Sequence, residues 1–109
     1  MDQEVYLEAL VPVSDEVSRL LKAMASDARL QILCLLYERE RSVSELTDRV
    51  GLSQPALSQH LARLRAERLV CTRRQAQTVY YTLDSERVRY LLEALHRLYC
   101  AAPAQPIRA

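Results

Sequence analysis

Three thiols define the chemistry open to this chain: Cys34 inside the apolar run LQILCLLY, Cys71 in LVCTRR and Cys100 at the end of LHRLYC. A thiolate can attack sulfur, give up electrons or bind a soft ion, and it does so only where exposure or a lowered pKa lets the proton leave. Three cysteines allow three pairings, and an odd count argues against a structural disulfide framework. Cys34 equally suits a plain role, because free cysteine is among the most buried residue types and packs as a small hydrophobe. Cys71 lies in a stretch of strand character and reads as structural. There is no C-x-x-C, no glycine-rich loop and no cysteine at an evident helix N-terminus, so a small sulfur-transferase or peroxidase has little to rest on.

The elements that must hold these thiols come from the rest of the chain. With 109 residues, half of them hydrophobic and one glycine, the composition predicts a single helix-rich domain with a real core. No run of about 18 apolar residues and no charged-then-apolar leader occurs, so a soluble, cytoplasmic protein with reduced thiols and no membrane partner is expected. The net charge of +1 carries no nucleic-acid signal. Its distribution does. Residues 1–21 hold Asp2, Glu4, Glu8, Asp15 and Glu16 against Arg19, whereas residues 53–82 hold Arg63, Arg65, Arg68, Arg73 and Arg74 against Glu67. One face is therefore suited to phosphates.

Periodicity predicts a first helix over 14–24, capped by Ser14, with Val17, Leu20, Leu21 and Met24 as its apolar stripe. Ser26 reads as the next cap, and the helix it opens, to about Glu38, is apolar nearly all round, the mark of a central buried helix. RERS reads as a polar loop. VSELTDRV follows as a short helix capped by Ser44, with Leu46 and Val50 inward. Gly51 supplies the left-handed residue that closes it, Ser53 caps a new helix with Pro55 in its first turn, and that helix runs to about Glu67 on Leu57, Leu61 and Leu64. Helix, tight glycine turn, helix is the helix-turn-helix order. The stretch LVCTRRQAQTVYYTL changes period and reads as a two-stranded hairpin, without the Asn-Gly or Asp-Gly that marks the tightest turns. A last helix starts near Ser85 and carries Val88, Leu91, Leu92, Leu95, Leu98 and Tyr99. The expected divisions are an N-terminal extension over 1–13, in which VYLEALV could form a short helix, a domain over 14–100 and a loose tail over 101–109.

A helix-turn-helix followed by a hairpin is a winged helix, a mainly α fold with a β-hairpin wing. The outward face of its second helix holds Pro55, Ser58, Gln59 and Arg63, opposite the leucines, and Gln54 sits at the helix start beside free backbone N–H groups. Ser58 and Gln59 suit base edges, Gln54 a base or phosphate, Arg63, Arg73 and Arg74 phosphates, and Gln75 and Gln77 the wing tip. His60 lies nearer the leucine stripe and reads as a buried or phosphate-facing histidine rather than a metal ligand. Polar side chains on a helix face can also be merely solvated, and a winged helix can serve protein contacts alone. The block GLSQPALSQHLARLRAERLV with its hairpin favours double-stranded DNA.

Residues 17–100 resemble the ArsR/SmtB family of small dimeric winged-helix repressors, through KAMASDARLQIL, SVSELTDRVGLSQPALSQHLARLRAERLV and VYYTL. Two departures are Ala28, where the family often has proline, and a wing, RRQAQ, without glycine. The resemblance implies a homodimer through the first and last helices, with recognition helices about 34 Å apart over an inverted repeat. It does not bring the family's metal sites. The helix before the recognition helix, SVSELTDRV, has no Cys-Val-Cys pair, and in DSERVRYLLEALHRLYC only Asp84 matches, Glu86 and Arg97 standing where histidines are expected and His96 being alone. No metal and no cofactor is expected.

Cys34 and Cys100, with their contexts ILCLL and LYC, are instead similar to the family's dithiol branch, the sulfide-responsive repressors of SqrR and BigR type. That likeness implies that persulfides convert the pair to a polysulfide or disulfide bridge and that the operator is released. A direct disulfide needs Cα atoms about 4.4–6.8 Å apart, so a slightly wider pair would resist simple oxidation and accept a bridge with extra sulfur. Cys100, near a helix end, is the expected first nucleophile, and Cys34 the resolving thiol. The alternative within the same fold is an oxidant- or arsenite-type thiophilic-ion-responsive repressor using the same cysteines.

Overall fold

Serine caps and one glycine divide the chain into its elements. The computed structural model describes residues 4–100; the tail expected over 101–109 lies outside the described residues. A 3-10 helix, Leu7–Val13, precedes α1 (Ser14–Met24), α2 (Asp27–Glu38), β1 (Arg41–Ser42), α3 (Val43–Val50), α4 (Gln54–Ala66), β2 (Val70–Gln75), β3 (Thr78–Leu83) and α5 (Glu86–Tyr99). Ser26, Ser53 and Ser85 cap α2, α4 and α5, accepting from the backbone N–H of Arg29, Ala56 and Val88. Two expected caps fail. Ser14 caps nothing, because the 3-10 helix runs straight into α1 and the Ser14 N–H already donates to the Val11 carbonyl. Ser42, not Ser44, caps α3, since Ser42 has the extended backbone a cap requires and its hydroxyl accepts from the Glu45 N–H. Gly51 closes α3 at φ 78°, with its N–H on the Thr47 carbonyl.

The core is a leucine-rich layer between helices. Leu57, Leu61 and Leu64 of α4 are all but fully buried, with Ile32, Leu33 and Leu36 of α2, Leu46 of α3, Leu69, Val70 and Leu83 at the root of the hairpin, and Val88 and Leu92 of α5. Each such leucine stabilises the fold by about 1.5–3 kcal/mol relative to exposure. The spacing 57, 61, 64 turns one side of α4 inward and so aims its other side at solvent. α2 departs from expectation. Only one side is buried, and Leu30, Cys34 and Tyr37 are exposed, since a helix that is apolar all round still has neighbours on one side alone here. Val5, Tyr6, Leu7, Leu10, Val11 and Val13 ahead of α1, Leu21 on it, and Tyr90, Leu98 and Tyr99 on α5 are also left uncovered.

The RERS segment is more than a loop. Arg41 and Ser42 form β1, which pairs antiparallel with β3 opposite Tyr81 and Tyr80, so the wing is a three-stranded sheet in the order β1-β3-β2. Two residues are too short for any alternation to show in sequence. In the hairpin itself Gln75 pairs with Thr78, and Ala76 takes φ 55° in place of the missing glycine, at a cost of about 1–2 kcal/mol.

Arg41 is the only charged side chain buried among the described residues, 3% exposed. Its guanidinium donates to the Leu35 carbonyl (3.1 Å), to Glu38 (2.6 Å) and to Glu45 (2.9 Å), tying the C-terminal end of α2 to α3. Arg39 also pairs with Glu45, and these cations hold the Glu45 carboxyl below its usual range, Arg39 first. Arg41→Met keeps the apolar stem and removes the three donors. The expected loss is about 2 kcal/mol, hydrogen bonds to charged groups being worth about 1.5–3 kcal/mol each and the acids retaining solvent. A lower urea midpoint with unchanged slope, at fixed protein concentration, is the measurement.

Candidate nucleic-acid interface and thiol site

The inward leucines of α4 place Gln54, Pro55, Ser58, Gln59 and Arg63 on its exposed side, and the wing exposes Arg73, Arg74, Gln75 and Gln77. A groove of about 440 Å³ runs between α3, the start of α4 and the wing, bringing Gln54, Ser58 and Gln77 together from separate elements. Ser44, Thr47 and Thr78 line it too. Sequence reasoning missed these three. The signal for the first two was there: they lie three apart on α3, beside the inward Leu46. The face offers amides and hydroxyls for base edges, flanked by guanidinium groups for phosphates.

Three of the expected contacts, Arg73, Gln75 and His60, are already engaged. Arg73 donates to both oxygens of Glu40 (2.8 and 2.7 Å) and to the Gln75 side chain (2.9 Å), and its guanidinium lies 4.5 Å over the Tyr80 ring. That bond holds the Glu40 carboxyl below, and the Arg73 guanidinium above, their ordinary pKa values. Arg73 thus braces the wing against the β1 segment. His60 is half-buried, its Nδ1 3.3 Å from Arg29 Nη1, while Arg29 Nε donates to the Ala23 carbonyl (2.6 Å). Arginine can only donate, so in this contact Nδ1 accepts and Nε2 carries the hydrogen.

All three thiols are exposed. Cys34 reaches solvent at its edge, yet its sulfur is crowded enough that burial pushes its pKa up, followed by the charge of a Cys100 thiolate and then by Glu38. The second of these causes means that residues 34 and 100 lie within electrostatic reach of each other, Cys34 on α2 and Cys100 at the end of α5. The Cys100 N–H caps α5 by donating to the His96 carbonyl at 2.8 Å. Cys71 stands apart on β2, its sulfur 3.1 Å from the Thr82 hydroxyl on the facing strand. Among the described residues no three His, Cys, Asp or Glu side chains converge on a possible metal position, and no helix is long and apolar enough to cross a membrane.

The ordering of causes at Cys34 can be checked in a Cys71→Ser background. Its alkylation rate, followed by peptide mapping across pH, is expected to rise only above the ordinary thiol range. Adding Cys100→Ser should move that rise to lower pH without reaching the ordinary range, because burial remains. A profile indifferent to Cys100 would place the two thiols out of reach.

Comparison with known proteins accords with this geometry. The family described as "Bacterial regulatory protein, arsR family" matches residues 26–72, from the cap of α2 into β2. The chain is 63% identical over 83 residues to the transcriptional activator HlyU of Vibrio cholerae, spanning 76% of this chain and 77% of that protein. It is 41% identical over 98 residues to the biofilm growth-associated repressor of Agrobacterium fabrum, spanning 90% and 84%. Its fold overlays reduced HlyU from V. cholerae with a TM-score of 0.80 at 55% identity, over 86% of this chain and 99% of that one. The transcriptional repressor BigR from Xylella fastidiosa gives 0.84 at 37% identity, over 90% and 100%. With a winged helix-turn-helix whose identity to such regulators runs through most of its length, the chain belongs to the ArsR family of bacterial regulatory proteins and is a DNA-binding transcriptional regulator, not an enzyme.

Proposed function

We propose that this regulator is a cytoplasmic homodimeric repressor that grips an inverted-repeat operator in the reduced state and lets go when reactive sulfur bridges Cys34 and Cys100. The observation that carries the reading is the placement of two thiols 66 positions apart on α2 and at the end of α5, with the charge of a Cys100 thiolate among the causes that raise the Cys34 pKa. Relatives bear on it from two sides. A reduced form of HlyU is a distinct solved structure, and the BigR relative is named a repressor while HlyU is named an activator. For this chain the molecular event is release from DNA, and its sign at a promoter depends on what the bound dimer blocks.

The chemistry balances without a further oxidant. The Cys100 thiolate attacks the outer sulfur of a persulfide RS–SH, RS⁻ leaves and takes up the thiol proton, and Cys100 carries S–SH. The Cys34 thiolate then attacks the inner sulfur and expels HS⁻, closing a disulfide in which the sulfane sulfur has been reduced to sulfide. If a second persulfide first converts Cys34 to S–SH, the same attack closes a trisulfide and again releases HS⁻. The raised pKa of Cys34 suits the second step rather than the first.

In the dimer the uncovered apolar residues ahead of α1, Leu21 on α1, and Leu98 and Tyr99 on α5 form the shared interface, residues 14–100 make up the folding unit and residues 1–13 extend it. Gln54, Ser58 and Gln59 read base edges, with Pro55 shaping the helix start, and Arg63, Arg74 and the Nε2–H of His60 meet phosphates. Gln77 and the Arg73–Gln75 pair act from the wing. A bridge between α2 and α5 shifts the interface helix against the reading unit and changes half-site spacing.

The DNA face makes two predictions, read by fluorescence anisotropy on a duplex selected from a random pool by the reduced protein. Gln59→Ala lowers affinity about tenfold or more and relaxes base preference at one position, leaving the salt slope unchanged. Glu40→Gln frees Arg73 and steepens the salt slope by about one. On the same duplex, inorganic polysulfide releases the wild type, and Cys34→Ser or Cys100→Ser abolishes release. Intact mass shows added sulfur or the loss of two hydrogens across the pair. Equal release by peroxide or arsenite, with no sulfur added, would replace the persulfide reading with the oxidant or thiophilic-ion one.

A further inference from the structure

Cys34 does not open onto bare surface. It lines a groove of about 530 Å³ between α2 and α5, together with Tyr37, Glu38, Leu92, Glu93, His96 and Arg97. That volume falls within the roughly 300–1,000 Å³ of small-molecule sites, and a leucine floor with a few convergent polar groups has the matching character. Its two acids each have a partner, a guanidinium for Glu38 and a neutral hydroxyl for Glu93, which keeps its negative charge. Glu38 accepts from Arg41 at 2.6 Å, and Glu93 accepts from the Tyr37 hydroxyl at 2.6 Å with the Arg89 guanidinium 5.5 Å over the same ring. Among the described residues no side-chain hydrogen bond or ion pair involves His96 or Arg97, so the groove presents an uncommitted guanidinium and an imidazole one residue apart. The groove residues also lie away from the apolar side of α5. Leu92, Glu93, His96 and Arg97 follow one another at helical spacing, and Leu91, Leu95 and Leu98 fall on the other side. A dimer that covers that apolar side leaves the groove open.

We propose that this groove binds the carboxylate of an organic low-molecular-weight persulfide, with Arg97 as the anchor and His96 beside it, and thereby presents the sulfane sulfur to the Cys34–Cys100 pair. The ligand class is a carboxylate-bearing amino acid or peptide persulfide. A planar guanidinium pairs with a carboxylate through two parallel hydrogen bonds, a geometry that an amine-bearing or inorganic sulfur carrier cannot use. The transfer balances as before: a protein thiolate takes the outer sulfur, and the carrier thiolate leaves with the thiol proton; Cys34 lines the groove, and Cys100 follows Arg97 by three residues at the end of α5. The proposal rests on the two-thiol reading and adds to it a preference among sulfur donors.

The test follows sulfur uptake by intact mass on the full-length reduced protein with three donors: glutathione persulfide, which bears two carboxylates, cysteamine persulfide, which bears an amine and none, and inorganic disulfide. The wild type should react about tenfold faster with the first than with the second, the worth of one charge-assisted carboxylate contact. Arg97→Gln, at an exposed position outside the core, should bring that ratio to near unity and leave the inorganic rate unchanged, while Arg97→Lys keeps part of the preference. S-methylglutathione, which carries both carboxylates and cannot donate sulfur, should slow glutathione persulfide on the wild type and not on Arg97→Gln. An unchanged ratio in Arg97→Gln, or indifference of the wild type to S-methylglutathione, overturns the groove alone. A wild type that takes sulfur from none of the three overturns the two-thiol reading and the groove with it.

Discussion

Everything in this molecule hangs on the burial of one side of α2. Ile32, Leu33 and Leu36 form the wall against which Leu57, Leu61 and Leu64 of α4 pack, and α2 touches α1, α3, α4 and β3. The reading helix therefore has no orientation of its own. It points where α2 lets it. The same helix carries Cys34 on its uncovered side, so a force applied at that thiol acts on the element that seats the DNA-facing one. Close-packed interiors transmit such displacements because they have few voids in which to absorb them.

Arg41 extends that coupling through polar contacts. A guanidinium that is 3% exposed would be costly without partners, and it meets three, on α2 and α3. Because Arg41 also belongs to β1, which pairs with β3, the end of α2, the start of the helix-turn-helix and the wing share a single side chain. Glu40, one residue earlier, holds Arg73 across the sheet. Two adjacent residues of opposite charge thus fasten the hairpin to the helical body from its inner and outer sides.

The legible parts of the sequence were those with local causes. The stripe Leu57, Leu61, Leu64, the caps Ser26, Ser53 and Ser85, and Gly51 each act within one or two turns; α2, α4 and α5 fall where period and cap placed them, and α1 where period alone did. Features that depend on distant pairing were not legible. β1 is two residues long and is defined by its pairing with β3, and α3 is capped by Ser42, the residue on which β1 ends, rather than by Ser44. The engagement of Arg73 by Glu40, 33 positions earlier, could not be seen in a count of basic residues. At the thiols, the pairing of Cys34 with Cys100 was suggested by family likeness, whereas the exposure of Cys34 ran against its apolar surroundings in sequence. The groove beside it, with Arg97, emerges only once α2 and α5 are laid together.

β2 lies between two left-handed residues that are not glycine, Arg68 at φ 62° and Ala76 at φ 55°. An L-residue explores far fewer backbone states than glycine when unfolded, so each such position surrenders less entropy on becoming ordered. Shaping the wing accordingly surrenders less entropy than a glycine turn would. An arm held in one shape discriminates between helical geometries that a pliant one would follow.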